Sequence, residues 1–238
     1  MKVLQNLNFS KAVSELLPKL LGNALSIVII ATLVGFFFAI IFGFILALGR
    51  VSRNKTLNHI IIVFQEIIRG TPLLVQRVYI YYVIPLVIEI IAGIMGIDNF
   101  SLKIGSTMAG IIGLTINYGT YISEVIRSAI IAIDHGQMEA ALALGFSNFQ
   151  AMFRIIIPQA FRNSIPVFGN YLVMMVKDTS LMAYITAQEF LMTTKAYTAQ
   201  TFLTIESYTI LAGVYLIICI PLAFIIKYLE RRLKRGRI

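Results

Sequence analysis

From Leu20 to Gly49 the chain runs for about 30 residues without a charged side chain. That exceeds the roughly 20 apolar residues a helix needs to cross a bilayer. In lipid, backbone amides and carbonyls must be satisfied within the chain, which makes a helix the form such a run takes. It is too long for the core of a signal peptide and lacks a clear cleavage site, so it reads as a retained helix. Of the 238 residues, 58% are hydrophobic and 13% charged, with mean hydropathy +0.86. Soluble domains average about 25% charged residues, so several membrane-spanning helices are expected rather than one large soluble core.

Four more apolar segments follow. The expected spans are about 20–49, 70–91, 106–126, 165–185 and 207–226, within one transmembrane domain covering residues 1–238. Residues 1–19, with Lys11, Glu15 and Lys19 between apolar positions, read as a short interfacial helix. Pro72 and Pro85 are expected to kink or break the second span. Residues 92–105, with Gly93, Gly96, Asp98 and Asn99, read as a loop, and a Thr-rich loop holds Glu189, Lys195 and Glu206. Cys219, the single cysteine, reads as a small buried hydrophobe. It allows no disulfide framework and no Cys-rich metal site.

The net charge of +9 does not suggest nucleic acid, because the basic residues sit at the ends of apolar runs without interleaved aromatics. They set an orientation instead. Arg50, Arg53, Lys55, Arg127, Arg154, Arg162 and the tail from Lys227 to Arg237 fall on one side. Lys2, Lys11, Lys19, Lys103 and Lys195 fall on the other. With five spans, the N-terminus is expected outside and the C-terminus in the cytoplasm. The tail serves as a topology anchor or meets anionic headgroups.

One polar stretch stands apart. Gln137 to Leu144 consists of strong helix formers, Gly145 is a natural helix stop, and Pro158 limits the next helix. Between two spans there is no hydrophobic reason for a helix, so a short one with Glu139 exposed fits docking into a partner. An amphipathic linker is the alternative. No phosphate-binding G-x-x-x-x-G-K-[ST] loop is present, so any ATP use requires another chain. With two His, one Cys and no His/Glu metal spacing, no catalytic nucleophile with a base can be assembled.

Charges inside the spans are the second constellation. Arg77, Lys177 and Asp178 lie within apolar stretches, where a central charge costs about 2.5–3.5 kcal/mol. They suit either an amino acid's carboxylate and ammonium or a structural network, with Arg77 neutralising Asp178 or Glu66. Asn117 and Tyr121, four residues apart on one helix face, and Asn170 offer neutral hydrogen bonds to a path.

Glu139-Ala-Ala, three residues, Gly145, nine residues, then Ile155, Ile157 and Pro158 resemble the signature loop of permeases in ABC importers. Glu66 to Gln76, Tyr121 to Arg127, Pro158 to Arg162 and Lys177 to Leu181 resemble the polar amino-acid subfamily. Departures are Ile157 for the usual Leu, Ser123 for Ala, and Arg77 where an apolar residue is usual. The resemblance implies an all-α type I importer permease in a bacterial cell membrane, itself no enzyme. Its implied partners are an ABC ATPase dimer, a second permease copy or paralogue, an extracytoplasmic substrate-binding protein, an amino-acid substrate and the lipid bilayer. It implies no cofactor in this chain; ATP and Mg belong to the ATPase. It also implies that Glu139, Ala140, Ala141, Gly145 and Pro158 form the ATPase-coupling element. The rival expectation is an ion-coupled secondary transporter, whose folds usually show two related halves; no internal repeat is visible here.

Overall fold

The computed structural model describes residues 7–52, 54–97 and 100–235. Lys2, Arg53, Asp98, Asn99 and Arg237 lie outside these, as do the readings made on them. The described residues are helical, with no strand among them. Helix α1 is Phe9–Lys19, α2 Leu25–Val51, α3 Lys55–Arg69, α4 Leu73–Val78 and α5 Ile84–Ile94. Then come α6 Ser106–Ile131, α7 His135–Ala143, α8 Asn148–Ala151, α9 Ile157–Asp178, α10 Phe190–Thr201 and α11 Thr204–Arg235.

Three helical stretches are long and apolar enough to cross a membrane: Phe9–Val51, Leu73–Ile94 and Thr204–Arg232. They correspond to the expected first, second and fifth spans. Helices α6 and α9 stand where the third and fourth were expected and have 26 and 22 residues, but polar side chains such as Asn117, Thr120, Arg162 and Asn163 dilute them. Helix α9 runs from Ile157 to Asp178 rather than from 165 to 185, and Thr179–Ile185 continues it as a 3-10 segment.

Prolines shape the helices. π-helical turns at Tyr79–Val83 and Met152–Ile156 stand just before Pro85 and Pro158. A proline lacks the amide that would close the preceding turn, and a widened turn accommodates its ring. The expected break in the second span is therefore real at Gly70 to Pro72, where α3 stops and α4 starts, and a π turn marks Pro85.

Two compact units make up the chain. The first draws on residues 1–36, 71–115 and 173–222. Its core joins Leu16, Leu20 and Val28 near the N-terminus to Val176, Phe190, Tyr197, Leu211 and Val214. Cys219 is only half-buried against this cluster. Two expectations change here. The N-terminal helix packs into the protein on one side, where Ala12 and Leu16 are buried and the Tyr197 hydroxyl donates to Glu15 Oε2 at 3.1 Å, while Phe9 and Val13 stay exposed. The Thr-rich loop is helix α10, whose Phe190, Thr194 and Tyr197 point into the core.

The second unit draws on residues 37–70, 116–172 and 223–238. Here α2 and α6 cross so closely that a Cβ on Gly43 would sit 2.7 Å from Ile122 Cγ2 and 2.8 Å from the Gly119 carbonyl oxygen. A Cβ on Gly119 would meet the Phe42 ring at 2.6 Å. Small residues permit such approaches between helices in membranes. Gly43→Val is therefore expected to destabilise the fold by about 1–3 kcal/mol through overpacking. Gly213→Ala, where a Cβ meets nothing within 4 Å, should be tolerated. Fluorescence-detected size exclusion of the two variants after heating checks this; equal melting would refute the crossing.

Candidate coupling helix and path residues

The segment between α6 and α9 folds from local signals. Asp134 Oδ1 accepts from the Gly136 amide at 2.7 Å and opens α7. Gly145 closes it at φ +84. The Gly145 amide donates to the Leu142 carbonyl at 3.0 Å, and the Phe146 amide to the Ala141 carbonyl at 3.1 Å. This pair of bonds satisfies the last carbonyls of a helix that ends on a left-handed residue. Ser147 and Gln150 then cap α8 reciprocally, the Gln150 amide reaching Ser147 Oγ at 3.2 Å and Gln150 Oε1 accepting from the Ser147 amide at 2.9 Å.

Of the expected coupling residues, Glu139, Ala140 and Ala141 lie on α7, Gly145 ends it, and Pro158 stands at the start of α9. Ala141 is buried, while Glu139, Ala140, Gly145 and Pro158 are exposed. Leu144 is 78% and Phe149 69% exposed, and Phe149 stacks on Phe153 at 4.4 Å. A capped helix with an exposed acid beside exposed apolar side chains has the make-up of a docking surface. A Cβ at Gly145 would meet nothing within 4 Å, so the cost of Gly145→Ala is backbone strain alone, about 1 kcal/mol. Hydrogen exchange of the Gly145-position and Phe146 amides should quicken about fivefold. Unchanged protection would contradict the left-handed stop.

The expected path residues fall into two groups. In the second unit, Asn117 is buried on α6. On the same helix Tyr118 and Tyr121 approach the Tyr171 ring of α9 at 5.9 and 6.2 Å. Asn170 is exposed next to Tyr171 in the chain. In the first unit, Lys177 is exposed and Asp178 half-buried, while Arg77 is fully buried. Arg77 Nη1 donates to the backbone carbonyl of Asp178 at 2.7 Å. Glu66, in the second unit, pairs with Arg69. The structure therefore joins Arg77 to Asp178, through the main chain of the latter.

Glu189 was placed in a loop by its sequence and proves to be a buried helix cap. Its carboxylate accepts from the Leu191 amide at 2.9 Å and the Met192 amide at 2.8 Å. Burial pushes its pKa up to about 7, against the opposing pull of those two amides and of Arg77 and Lys195. The signal available in the sequence was an acidic residue directly before an apolar one, with Phe190, Thr194 and Tyr197 at helical spacing.

A helical chain with stretches fit to cross a membrane, and a capped helix carrying an exposed acid, has the make-up of a membrane protein with a surface for a partner. Residues 39–235 match the sequence profile of the binding-protein-dependent transport system inner membrane component family, and the chain belongs to that family. It is 34% identical over 195 residues to the glutamine transport system permease protein GlnP of Escherichia coli strain K12, covering 82% of this chain and 84% of that one. It is 35% identical over 205 residues to the L-cystine transport system permease protein TcyB of Bacillus subtilis strain 168, covering 86% and 82%. Among solved structures, a crystal structure of an amino acid ABC transporter with histidines matches at TM-score 0.79 and 29% identity, over 94% of this chain and 98% of that chain. The MetNI methionine ABC transporter, inward facing, matches at TM-score 0.64 and 18% identity over 91% and 97%, which shows the shared fold. These likenesses favour the importer permease over an ion-coupled secondary transporter.

Proposed function

We propose that this chain is the membrane-spanning subunit of an ATP-driven importer of polar amino acids in a bacterial inner or plasma membrane. The observation that carries this reading is helix α7, with its capped ends and exposed Glu139, in a chain whose relatives are amino-acid permeases. A separate ABC ATPase dimer, holding ATP and Mg, docks on α7 and the exposed Leu144, Phe149 and Phe153. A second permease copy or paralogue completes the path, and an extracytoplasmic binding protein delivers the substrate. The chain crosses the bilayer about five times, α6 and α9 included, with its N-terminus outside and its C-terminus in the cytoplasm. Polar helices can cross where they face a protein-lined or watery path rather than lipid. Asn117, Tyr121 and Asn170 contribute to that path.

The test is recovery of the tagged chain from mild detergent, with the co-purifying proteins identified and assayed for ATP hydrolysis. A roughly stoichiometric ATPase is expected. A chain that elutes alone, and that crosslinks to no ATPase in membranes, would overturn the proposal. Proteoliposomes holding the recovered complex and its binding protein, offered L-glutamine and L-cystine, then test the substrate class.

A further inference from the structure

The bend between α9 and α10 is an unusual piece of backbone. After Asp178 the chain tightens into the 3-10 segment Thr179–Ile185, then places Thr186 at φ +62. A β-branched residue in the left-handed region is held there by its surroundings rather than by preference. Two residues of one helical stretch reach this bend from outside it. Arg77 Nη1 donates to the Asp178 carbonyl at its start, and the Tyr81 hydroxyl lies 3.5 Å from Thr186 Oγ1 at its end. Four residues apart, Arg77 and Tyr81 share a face.

Room for this contact is made on α6. A Cβ at Gly113 would fall 2.8 Å from Arg77 Cγ, and one at Gly110 would collide with Met182 of the bend. Arg77 is 0% exposed, and one of its donors serves the last carbonyl of α9, where a helix end favours positive charge. A guanidinium so placed is sealed from a passing solute.

We infer that Arg77 is a positioning residue: it clamps the Thr179–Thr186 bend to α4 and thereby governs the rate of transport rather than the affinity for substrate. The clamp itself is a matter of geometry. Its effect on uptake rests on the import reading above.

The test uses the whole complex in proteoliposomes, in a Cys219→Ser background carrying Ala183→Cys as a reporter inside the bend. Ala183 is buried, so N-ethylmaleimide should label the reporter slowly. Arg77→Ala is expected to quicken labelling about tenfold and to lower the maximal uptake rate of L-glutamine or L-cystine about tenfold. The half-saturating concentration should stay within about twofold. Gly113→Ala, which crowds Arg77, should move both readouts in the same direction. Unchanged labelling, or a raised half-saturating concentration at an unchanged maximal rate, would overturn the inference. If neither amino acid enters with the wild-type complex, the import reading loses its substrate support and the labelling rate alone decides the clamp. If Arg77→Ala does not assemble, Arg77→Lys decides. A lysine can donate to one carbonyl, so slow labelling with wild-type half-saturation supports the clamp. A raised half-saturating concentration with the reporter still protected identifies a substrate reader instead, and the clamp fails.

Discussion

Glu139→Lys is expected to lower ATP-driven uptake more than tenfold while leaving the helices folded. Glu139 is exposed in the middle of α7, and lysine has nearly the same helix propensity as glutamate, so the helix survives the change. What changes is the sign of the charge offered to a partner. Removing a charged partner from a desolvated, hydrogen-bonded pair costs about 2–5 kcal/mol, and 1.4 kcal/mol is a factor of ten in affinity. The ATPase should therefore be lost from the purified complex, with circular dichroism of the permease unchanged. Normal ATPase recovery would remove Glu139 from the docking surface.

The second large effect concerns Glu189 and pH. Its folded pKa is raised to about 7, whereas the unfolded carboxyl keeps its ordinary value of 4.5. Between these values the folded chain retains a proton that the unfolded chain has released. The contribution to stability is full below about pH 4.5 and is lost as pH rises through about 7. The loss amounts to about 3 kcal/mol. Glu189→Gln should abolish this slope. Glutamine offers one acceptor oxygen to the two amides of Leu191 and Met192, so the variant is about 1 kcal/mol less stable than the wild type at low pH and overtakes it as pH rises toward 7. Thermal unfolding of both proteins in detergent between pH 5 and 8 checks the prediction. Parallel curves would show that Glu189 does not titrate in this range.

Much of the candidate site was legible because its signals are local. Helix α7 is written in consecutive residues: Asp134 before it, helix formers through it, and Gly145 after it. The left-handed turn at Gly145 follows from chemistry that needs no distant partner. The apolar runs behave likewise, since bilayer thickness imposes their length wherever they occur. Helix α6 also begins at its expected place, whereas α9 starts well ahead of the expected 165, because polar residues make its first turns hard to separate from a loop.

Other features were illegible for a common reason. Helix α10 is rich in Thr, which has modest helix propensity, and it is stabilised by burying Phe190 and Tyr197 against α1. Helix α1 has the pattern of a lipid-facing segment, and that same face is covered by α10 and α11 instead. A hydrophobic stripe states that it will be buried, not what will bury it. Arg77 is the sharpest case. Its charge marked it in the sequence, and one of its bonds is to a main-chain carbonyl 101 residues away, a partner no sequence pattern points to. Helix type, helix ends and membrane-crossing length come from neighbours along the chain. Which backbone carbonyl the fold brings within 3 Å of Arg77 depends on the tertiary structure, and no spacing in the sequence encodes that.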